Sequence, residues 1–518
     1  MPTTELGTLP AWLALHRRER ADAIALCGDG EAVSYRQLAD DTQRLAAGLA
    51  RAGIGKGDVV AAQLANTRAF VTAFLASATL GAVFQTLHMP YRQKELRYLL
   101  EHSGARAVFA VSTGAADAPV HEMLRLRDAL ASLDTVIAVG APVAGATSYD
   151  ALFDTPPETR FPAADPQTTY LLLYTSGTTA EPKGVPHSAE AFLGNAHRSA
   201  AELGITADSR ILSLAAFSHL YGLFTIHLAL AAGATICLLP AYRPPALPDD
   251  LARLRPTHVF AAPAHFAPVV ADGGLTAAHT RTIEVACLSG TTVPPSLARA
   301  LDGLLENGVV IQLWGMSELQ AGTFGRPDDP LDTRLATAGR ASPRTELRVV
   351  TDAAEPVAPG AEGQLEVRGP SVFAGYLGNR EASEASFRSD GWFRTGDLAR
   401  ISAEGFLTLT GRTKEIINRG GVKYNPIEVE LVALGHPAVL QCAVVPYPDP
   451  VLGERACLCV EARPDAAIGL DEVCAMLEER GIAKFKWPER LEIFEQLPLT
   501  PTRKVMRGAL AEMLKARS

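Results

Sequence analysis

The stretch TSGTTAEPKG at residues 175–184 gathers hydroxyl side chains, two glycines and a lysine directly after the apolar run LLLY. A strand-to-loop junction of that composition can offer backbone N–H groups, hydroxyl donors and an ammonium to a polyphosphate. It is not a Walker A loop: the fifth residue after Gly177 is Pro182 rather than glycine, and Lys183 is followed by Gly184 rather than Ser or Thr. Read alone, the same residues also suit a solvated turn. Cys457 and Cys459 alternate in a strand-like run, which reads as two small buried hydrophobes rather than a metal site.

The elements needed to position such a loop follow an alternating pattern. Ser34 is a helix N-cap, Leu38, Leu45 and Leu49 share one helical face, and Gly53 stops the helix before the buried strand DVVAAQL at 58–64. An Ala/Leu-rich helix within residues 71–87 stops near Gly81 and continues as the strand AVFQTL. The uncharged run at 224–241 is long enough to consider as a membrane span, but Gly233 divides it and Pro240 closes it, so a buried helix followed by a buried strand is expected. This is an α/β signature. Pro-, Gly- and acid-rich loops are expected near 154–166, 326–334 and 351–363. After residue 411 the pattern shortens to strands near 439–446, 455–461 and 490–495 with helices near 471–480 and 506–516. We read residues 1–411 as a large multi-subdomain α/β unit and residues 412–518 as a small α+β domain.

Bulk properties narrow the function class. A chain of 518 residues exceeds what one core usually serves, consistent with two or more domains. A formal charge of -9 provides no general attraction to nucleic acid or to an acidic membrane surface. Seven cysteines without a CxxC pair form no disulfide framework, and the N-terminal residues lack the pattern of a secretory signal, so a cytoplasmic location is expected. Nothing in the sequence fixes an oligomeric state.

The phosphate loop does not stand alone. LSGTTVPP at 288–295, WGMSE at 314–318, WFRTGD at 392–397, GRTKEIINRGGVKYNPIEVE at 411–430 and LPLTPTRKVMR at 497–507 follow it in order. With them the chain resembles the adenylate-forming superfamily of acyl-CoA synthetases, peptide-synthetase adenylation domains and firefly luciferase, over most of its length. The resemblance implies that Thr175, Ser176, Gly177, Thr178, Thr179 and Lys183 handle the ATP phosphates. Ser289, Gly290 and Thr291 with Trp314 would cradle adenine, and Gly315, Met316 and Ser317 would complete the nucleotide contacts. Thr178 and Glu318 would hold Mg²⁺, Asp397 would accept the ribose hydroxyls, Arg412 would contact ribose or phosphate, and Lys504 would bridge the substrate carboxylate and the α-phosphate.

The implied chemistry joins a carboxylate to AMP with loss of pyrophosphate, then passes the acyl group to a thiol. No protein nucleophile is needed, so no Ser-His-Asp triad is assigned. In the family the small C-terminal domain is mobile: Lys414 occupies the hinge position, and Gly420-Gly421 would approach a pantetheine thiol in the second step. Ala180, Ser317 and Arg503 stand where the family usually has glycine, threonine and glycine; the first two are mild changes, and Arg503 adds a cation beside Lys504.

The acid itself would be read by FSHLYGL at 217–223. His219 is a candidate gate for the carboxylate, and Phe217, Leu220, Tyr221 and Leu223, with Ala262 and Phe266 nearby, would make an apolar pocket for a medium-chain, alicyclic or aromatic acid. Amino-acid-activating relatives carry an aspartate near Ser218, and its absence argues against amino acids; Leu220 stands where relatives that recognise an ortho-hydroxyl have an asparagine. Coenzyme A is the expected acceptor; a carrier-protein phosphopantetheine is the alternative, although no carrier domain follows. A silent nucleotide-binding scaffold is disfavoured by the joint presence of Lys183, Glu318, Asp397, Arg412 and Lys504.

Overall fold

The computed structural model describes residues 7–154, 156, 161, 164–175, 181–463, 466–500 and 504–516. Most of the proline-rich segment near 154–166, the loop residues Ser176, Gly177, Thr178, Thr179 and Ala180, and Arg503 lie outside these described residues.

Local chemistry explains the first helices. Ser34 Oγ accepts from Gln37 N while the Gln37 side chain accepts from Ser34 N, a capping box that starts the helix Tyr35–Arg51. Its Leu38, Leu45 and Leu49 are buried, as their spacing predicts. Ser34→Ala removes one side of this box, and we expect a cost of about 1 kcal/mol. For a chain of this size that is a drop of only about one degree in thermal midpoint, so the cost is read from the denaturant midpoint, and an unchanged denaturant midpoint would refute the cap's contribution.

Two helices end by the same device. Arg68–Leu80 stops at Gly81 (φ 71°) and Leu220–Ala232 at Gly233 (φ 75°), left-handed positions that favour glycine. Each is followed closely by a buried strand, Val83–Thr86 and Thr235–Cys237. Both helices are apolar around nearly their whole circumference and belong to one continuous core with strands of the two large sheets. Among the described residues no helix is long and apolar enough to cross a membrane.

The first large sheet, seven-stranded, runs Thr147–Ser148, Thr135–Gly140, Ala107–Ser112, Val59–Gln63, Val83–Thr86, Thr169–Tyr174 and Gly184–Ser188. All neighbours are parallel except the last pair, whose antiparallel turn carries the phosphate loop. The second, nine-stranded, has a parallel centre from Val309–Met316 through Val285–Leu288, His258–Ala261, Arg210–Ser213 and Thr235–Cys237 to Ile24–Gly28, with antiparallel edges. A third sheet, Glu346–Val350, Gly363–Arg368, Phe393–Ile401 and Leu407–Arg412, is antiparallel throughout. Its interior carboxylate, Glu366, is fully buried between the guanidinium groups of Arg348 and Arg388.

The last sheet begins at Ile417, after the third has ended at Arg412. Its central pair, Val439–Asp449 and Gly453–Ala462, is flanked by Arg490–Phe494 and by the hairpin Ile417–Arg419/Val422–Tyr424. Alternate residues face opposite layers: Val444 packs with Val473 and Leu477 of the helix Leu470–Glu479, whereas Ala443 and Val445 pack with Leu510 and Leu514 of Arg507–Ala516. Cys457 and Cys459 are buried free thiols in the second layer. One expected loop is partly helical. Leu331–Ala336 begins inside 326–334 because Arg334 reaches Val310 O at 2.7 Å and Asp302 at 2.9 Å, long-range bonds that no local pattern announces.

Candidate active site

The strand Thr169–Tyr174 and its antiparallel neighbour Gly184–Ser188 hold the two ends of the phosphate loop together. Tyr174 pairs with Gly184, Thr175 N donates to Lys183 O at 3.1 Å, and Lys183 N donates to Thr175 Oγ1 at 3.3 Å. Lys183 Nζ then sits 4.7 Å above the Tyr376 ring, whose hydroxyl donates to Glu318 Oε1 at 2.9 Å. The described part of the loop is thereby linked to the WGMSE turn.

That turn is fixed from several sides. Gly315 is required by close backbone approach, since a Cβ there would lie 2.0 Å from Gln320 O. Met316 O accepts from Leu319 N at 3.1 Å, Ser317 O bonds His187 Nε2 at 2.7 Å, and Glu318 O accepts from Phe373 N at 2.7 Å. Ser289, Gly290 and Thr291 follow the C-terminal end of the strand Val285–Leu288, with Ser289 N bonded to Ala261 O at 3.0 Å. Carboxyl ends of parallel strands are where open α/β sheets place their ligands.

Asp397 lies at the meeting point of two motifs. Trp314 Nε1–H donates to its Oδ2 at 2.9 Å, and Arg412 Nε lies 2.9 Å from its Oδ1, while the carboxylate is only 4% exposed. The indole expected against adenine thus also anchors the expected ribose acceptor. Lys504 arrives from the far end of the chain on a tight turn, Lys504 N to Thr500 Oγ1 at 3.1 Å and Thr500 N to Lys504 O at 2.8 Å. Arg507 secures that turn with contacts to both Glu430 oxygens and a 3.1 Å pair to Glu415.

Family models for the AMP-binding enzyme and for the AMP-binding enzyme C-terminal domain match residues 13–377 and 428–504. The chain belongs to the AMP-binding enzyme family. The indoleacetate–CoA ligase of Aromatoleum aromaticum is 32% identical over 511 residues, covering 98% of each chain. The medium-chain fatty-acid–CoA ligase of Escherichia coli is 30% identical over 512 residues, covering 96% of this chain and 89% of that one. The fold matches that of an anthranilate CoA ligase crystallised with anthranoyl-AMP, with a TM-score of 0.92 at 23% identity over 100% of this chain and 99% of the other. The protein is an adenylate-forming enzyme of the acyl-CoA synthetase type, with the large α/β unit and smaller C-terminal unit of that fold.

In this AMP-binding enzyme the site residues perturb one another. Burial lowers the Lys504 ammonium to about 8, and Arg412 pushes the same way; Asp397, Glu415 and Glu318 oppose them. Burial raises the Glu318 carboxyl, while the Tyr376 hydrogen bond pulls it down. His219 is held well below its ordinary value by burial first and by Lys504 second, so it stays neutral. Its Nδ1 accepts from Tyr221 N at 3.2 Å, capping the helix Leu220–Ala232. A histidine fixed as a neutral acceptor on one nitrogen presents Nε2–H on the other.

The apolar acyl wall is only partly where the sequence places it. Phe217 and Leu223 are fully buried in the main core, Tyr221 donates its hydroxyl to Cys287 O at 2.7 Å, and Phe266 is buried in a second cluster. Only His219 and Leu220 of the expected set line the cleft of about 280 Å³ beside Ser317; Thr86, His88, Tyr91 and Ser218 supply most of the rest. The cleft beside Ser317 is thus lined by a mixed rather than a wholly apolar surface, and a helix that is apolar all round gives no periodic sign of which side faces ligand.

Lys414 is exposed between Thr413, whose N–H bonds Gly396 O, and Glu415. Gly420 and Gly421 occupy the tip of the hairpin Ile417–Arg419/Val422–Tyr424, where Gly420 N bonds Leu452 O at 2.8 Å. Among the described residues they make no contact with the Lys504 cluster. Sequence reasoning missed Tyr376, His88 and Arg507. Tyr376 follows Gly375 in an irregular loop, and only proximity in space links it to Glu318.

Proposed function

We propose that this protein is a carboxylate–CoA ligase acting in two half-reactions, on a medium-chain, alicyclic or aromatic acid, in the cytoplasm. The single observation that carries the reading is the assembly of Lys504 with Asp397, Arg412 and Glu318, drawn from four separated motifs into one electrostatic cluster. A nucleotide phosphate and an acid carboxylate are both anions, and a buried ammonium aimed between them screens their approach. The carboxylate oxygen forms the bond to the α-phosphorus as the bridging bond to pyrophosphate breaks and its electron pair leaves with pyrophosphate. In the second step a thiol sulfur bonds the acyl carbon, its proton is released, and AMP departs with the electron pair of the broken C–O bond. Neutral His219, close enough to Lys504 to feel its charge, suits orientation of the carboxylate rather than proton transfer.

The residues fit Mg²⁺ as the companion of ATP. Glu318 is a nearly buried oxygen donor with Tyr376 on Oε1, and no cluster of three His, Cys, Asp or Glu residues forms a cage among the described residues. One carboxylate plus nucleotide phosphate oxygens is the usual way Mg²⁺ is held. When bound, Mg²⁺ neutralises the triphosphate and the departing pyrophosphate. Thr178, the second candidate, lies outside the described residues.

Coenzyme A as acceptor is supported by the names of the CoA-ligase relatives, with Gly420-Gly421 as the thiol-facing segment and Lys414 as the hinge between residues 1–411 and 412–518. Seven free cysteines and a negative net charge support a reducing compartment and small-molecule rather than nucleic-acid partners.

A pyrophosphate-release screen across carboxylic acids, followed by thioester detection with CoA and with a phosphopantetheinylated carrier, tests this. We expect acid-dependent release and a CoA thioester. Release with a carrier thioester only would replace CoA by the carrier; no release with any acid would remove the ligase reading.

A further inference from the structure

The cleft beside Ser317 has a polar side, formed by His88 and Ser218, and it is built rather than incidental. His88 follows the strand Val83–Thr86 at its carboxyl end and bonds Ser218 Oγ through Nδ1 at 2.9 Å. Its backbone is pinned from beneath: Gln63 Nε2 donates to His88 O at 3.0 Å, to Met89 O at 3.3 Å and to Tyr91 O at 3.1 Å. The Tyr91 ring stands edge-on to the imidazole at 5.1 Å, and the His219 ring lies 6.3 Å away across the cleft. Ser218 is 3% exposed, and both residues line the same cleft as Leu220 and Ser317. Among the described residues His88 Nε2 has no hydrogen-bond partner of its own.

Burial keeps the His88 imidazole neutral, lowered to about 4. A neutral imidazole bonded to a hydroxyl has two arrangements. If Ser218 donates to Nδ1, the outward groups are Nε2–H and a serine lone pair. If Nδ1–H donates to Ser218, they are a bare Nε2 and the serine O–H. Either way the pair shows one donor and one acceptor to the cleft. A hydroxyl is the group that satisfies both at once; a carboxylate offers only acceptors, and an alkyl or aryl C–H offers neither.

We propose that His88 and Ser218 are specificity-determining residues that read a hydroxyl on the acyl body of the acid. The inference rests on the acid-activating reading above and names the acid class for that same site. A hydroxyl analogue lacking the group leaves both partners unpaired in the cleft, which lowers kcat/KM by roughly 10- to 100-fold at about 1–3 kcal/mol of unsatisfied polar group.

The test uses matched acids: benzoate with its 3- and 4-hydroxy derivatives, and a short straight-chain acid with its terminal hydroxy derivative. Pyrophosphate release is measured with the full-length enzyme and with Ser218→Ala and His88→Leu. The wild-type enzyme is expected to prefer the hydroxylated member of at least one pair by 10-fold or more in kcat/KM, and each variant to bring that ratio towards unity. Thermal midpoints identify a variant that fails to fold, and the other then decides. Preference for the unsubstituted acid or for a dicarboxylate, or an unchanged ratio in both variants, overturns the assignment. No release with any acid overturns the ligase reading and this inference with it, a result distinct from release without hydroxyl selectivity.

Discussion

Lys504→Ala is expected to slow acid-dependent pyrophosphate release by roughly two or more orders of magnitude, the scale of losing one preorganised transition-state donor. The loss should fall on kcat, because the ammonium acts where negative charge is concentrated during bond exchange. Second-step turnover of separately supplied acyl-adenylate should be affected much less. The wild-type pH profile carries a related signature. With its ammonium lowered to about 8 by burial and by Arg412, Lys504 is charged below that value and loses its proton above it, so kcat/KM should fall on the alkaline side near pH 8. Folding stability runs the other way: a lysine lowered from its ordinary value of 10.5 costs stability in full below about 8, and that cost is relieved progressively as pH rises from about 8 towards 10.5. Bound phosphates restore charge to the ammonium, placing the limb in kcat above that in kcat/KM. Near-normal release by the alanine variant, or a flat profile through pH 9, would remove Lys504 from the first step.

Asp397→Asn is expected to raise the KM for ATP by about 10- to 100-fold, corresponding to about 1.5–3 kcal/mol for hydrogen bonds to a charged acceptor. The amide keeps the shape but offers one acceptor oxygen where Trp314 and Arg412 now approach two. Two further readouts separate this from general damage. Discrimination between ATP and its 2′- and 3′-deoxy analogues should shrink, because the group that accepts from the ribose is the one altered. The alkaline limb should also move to lower pH, because Asp397 is among the carboxylates that hold the Lys504 proton. Unchanged KM together with unchanged deoxy-ATP discrimination would refute the ribose role.

Much of this site is legible in the chain because its motifs are short, ordered and local. Ser34, Gly81 and Gly233 announce helix ends through side-chain capping and left-handed backbone, which depend on a few neighbouring residues. What is not legible is whatever depends on which way a buried element turns. Phe217, Tyr221 and Leu223 sit in the expected segment, yet their side chains enter the core while Ser218 and His219 reach the cleft. Tyr376 and Glu318 meet across a chain separation of 58 residues, and His88 and Ser218 across 130. Sequence spacing carries no information about either pair, since each is created by neighbouring strands and helices packing side by side. The helix at Leu331–Ala336 illustrates the same limit: Arg334 anchors it to Asp302 and Val310 on other elements.

The contact of Arg507 with Glu415 has a mechanical consequence. Glu415 directly follows Lys414, and Arg507 lies three residues beyond Lys504, so the ammonium is coupled to the segment beside that joint by a short, stiff linkage. The lysine has little slack. Local fraying of its turn would first have to break the Arg507 contacts to Glu415 and to both oxygens of Glu430. Withdrawal of Lys504 with those contacts intact must carry the neighbouring backbone along, like a crank turning with its shaft. If the proposed hinge at Lys414 turns, retraction of the ammonium and reorientation of the hairpin Ile417–Arg419/Val422–Tyr424 would be one movement.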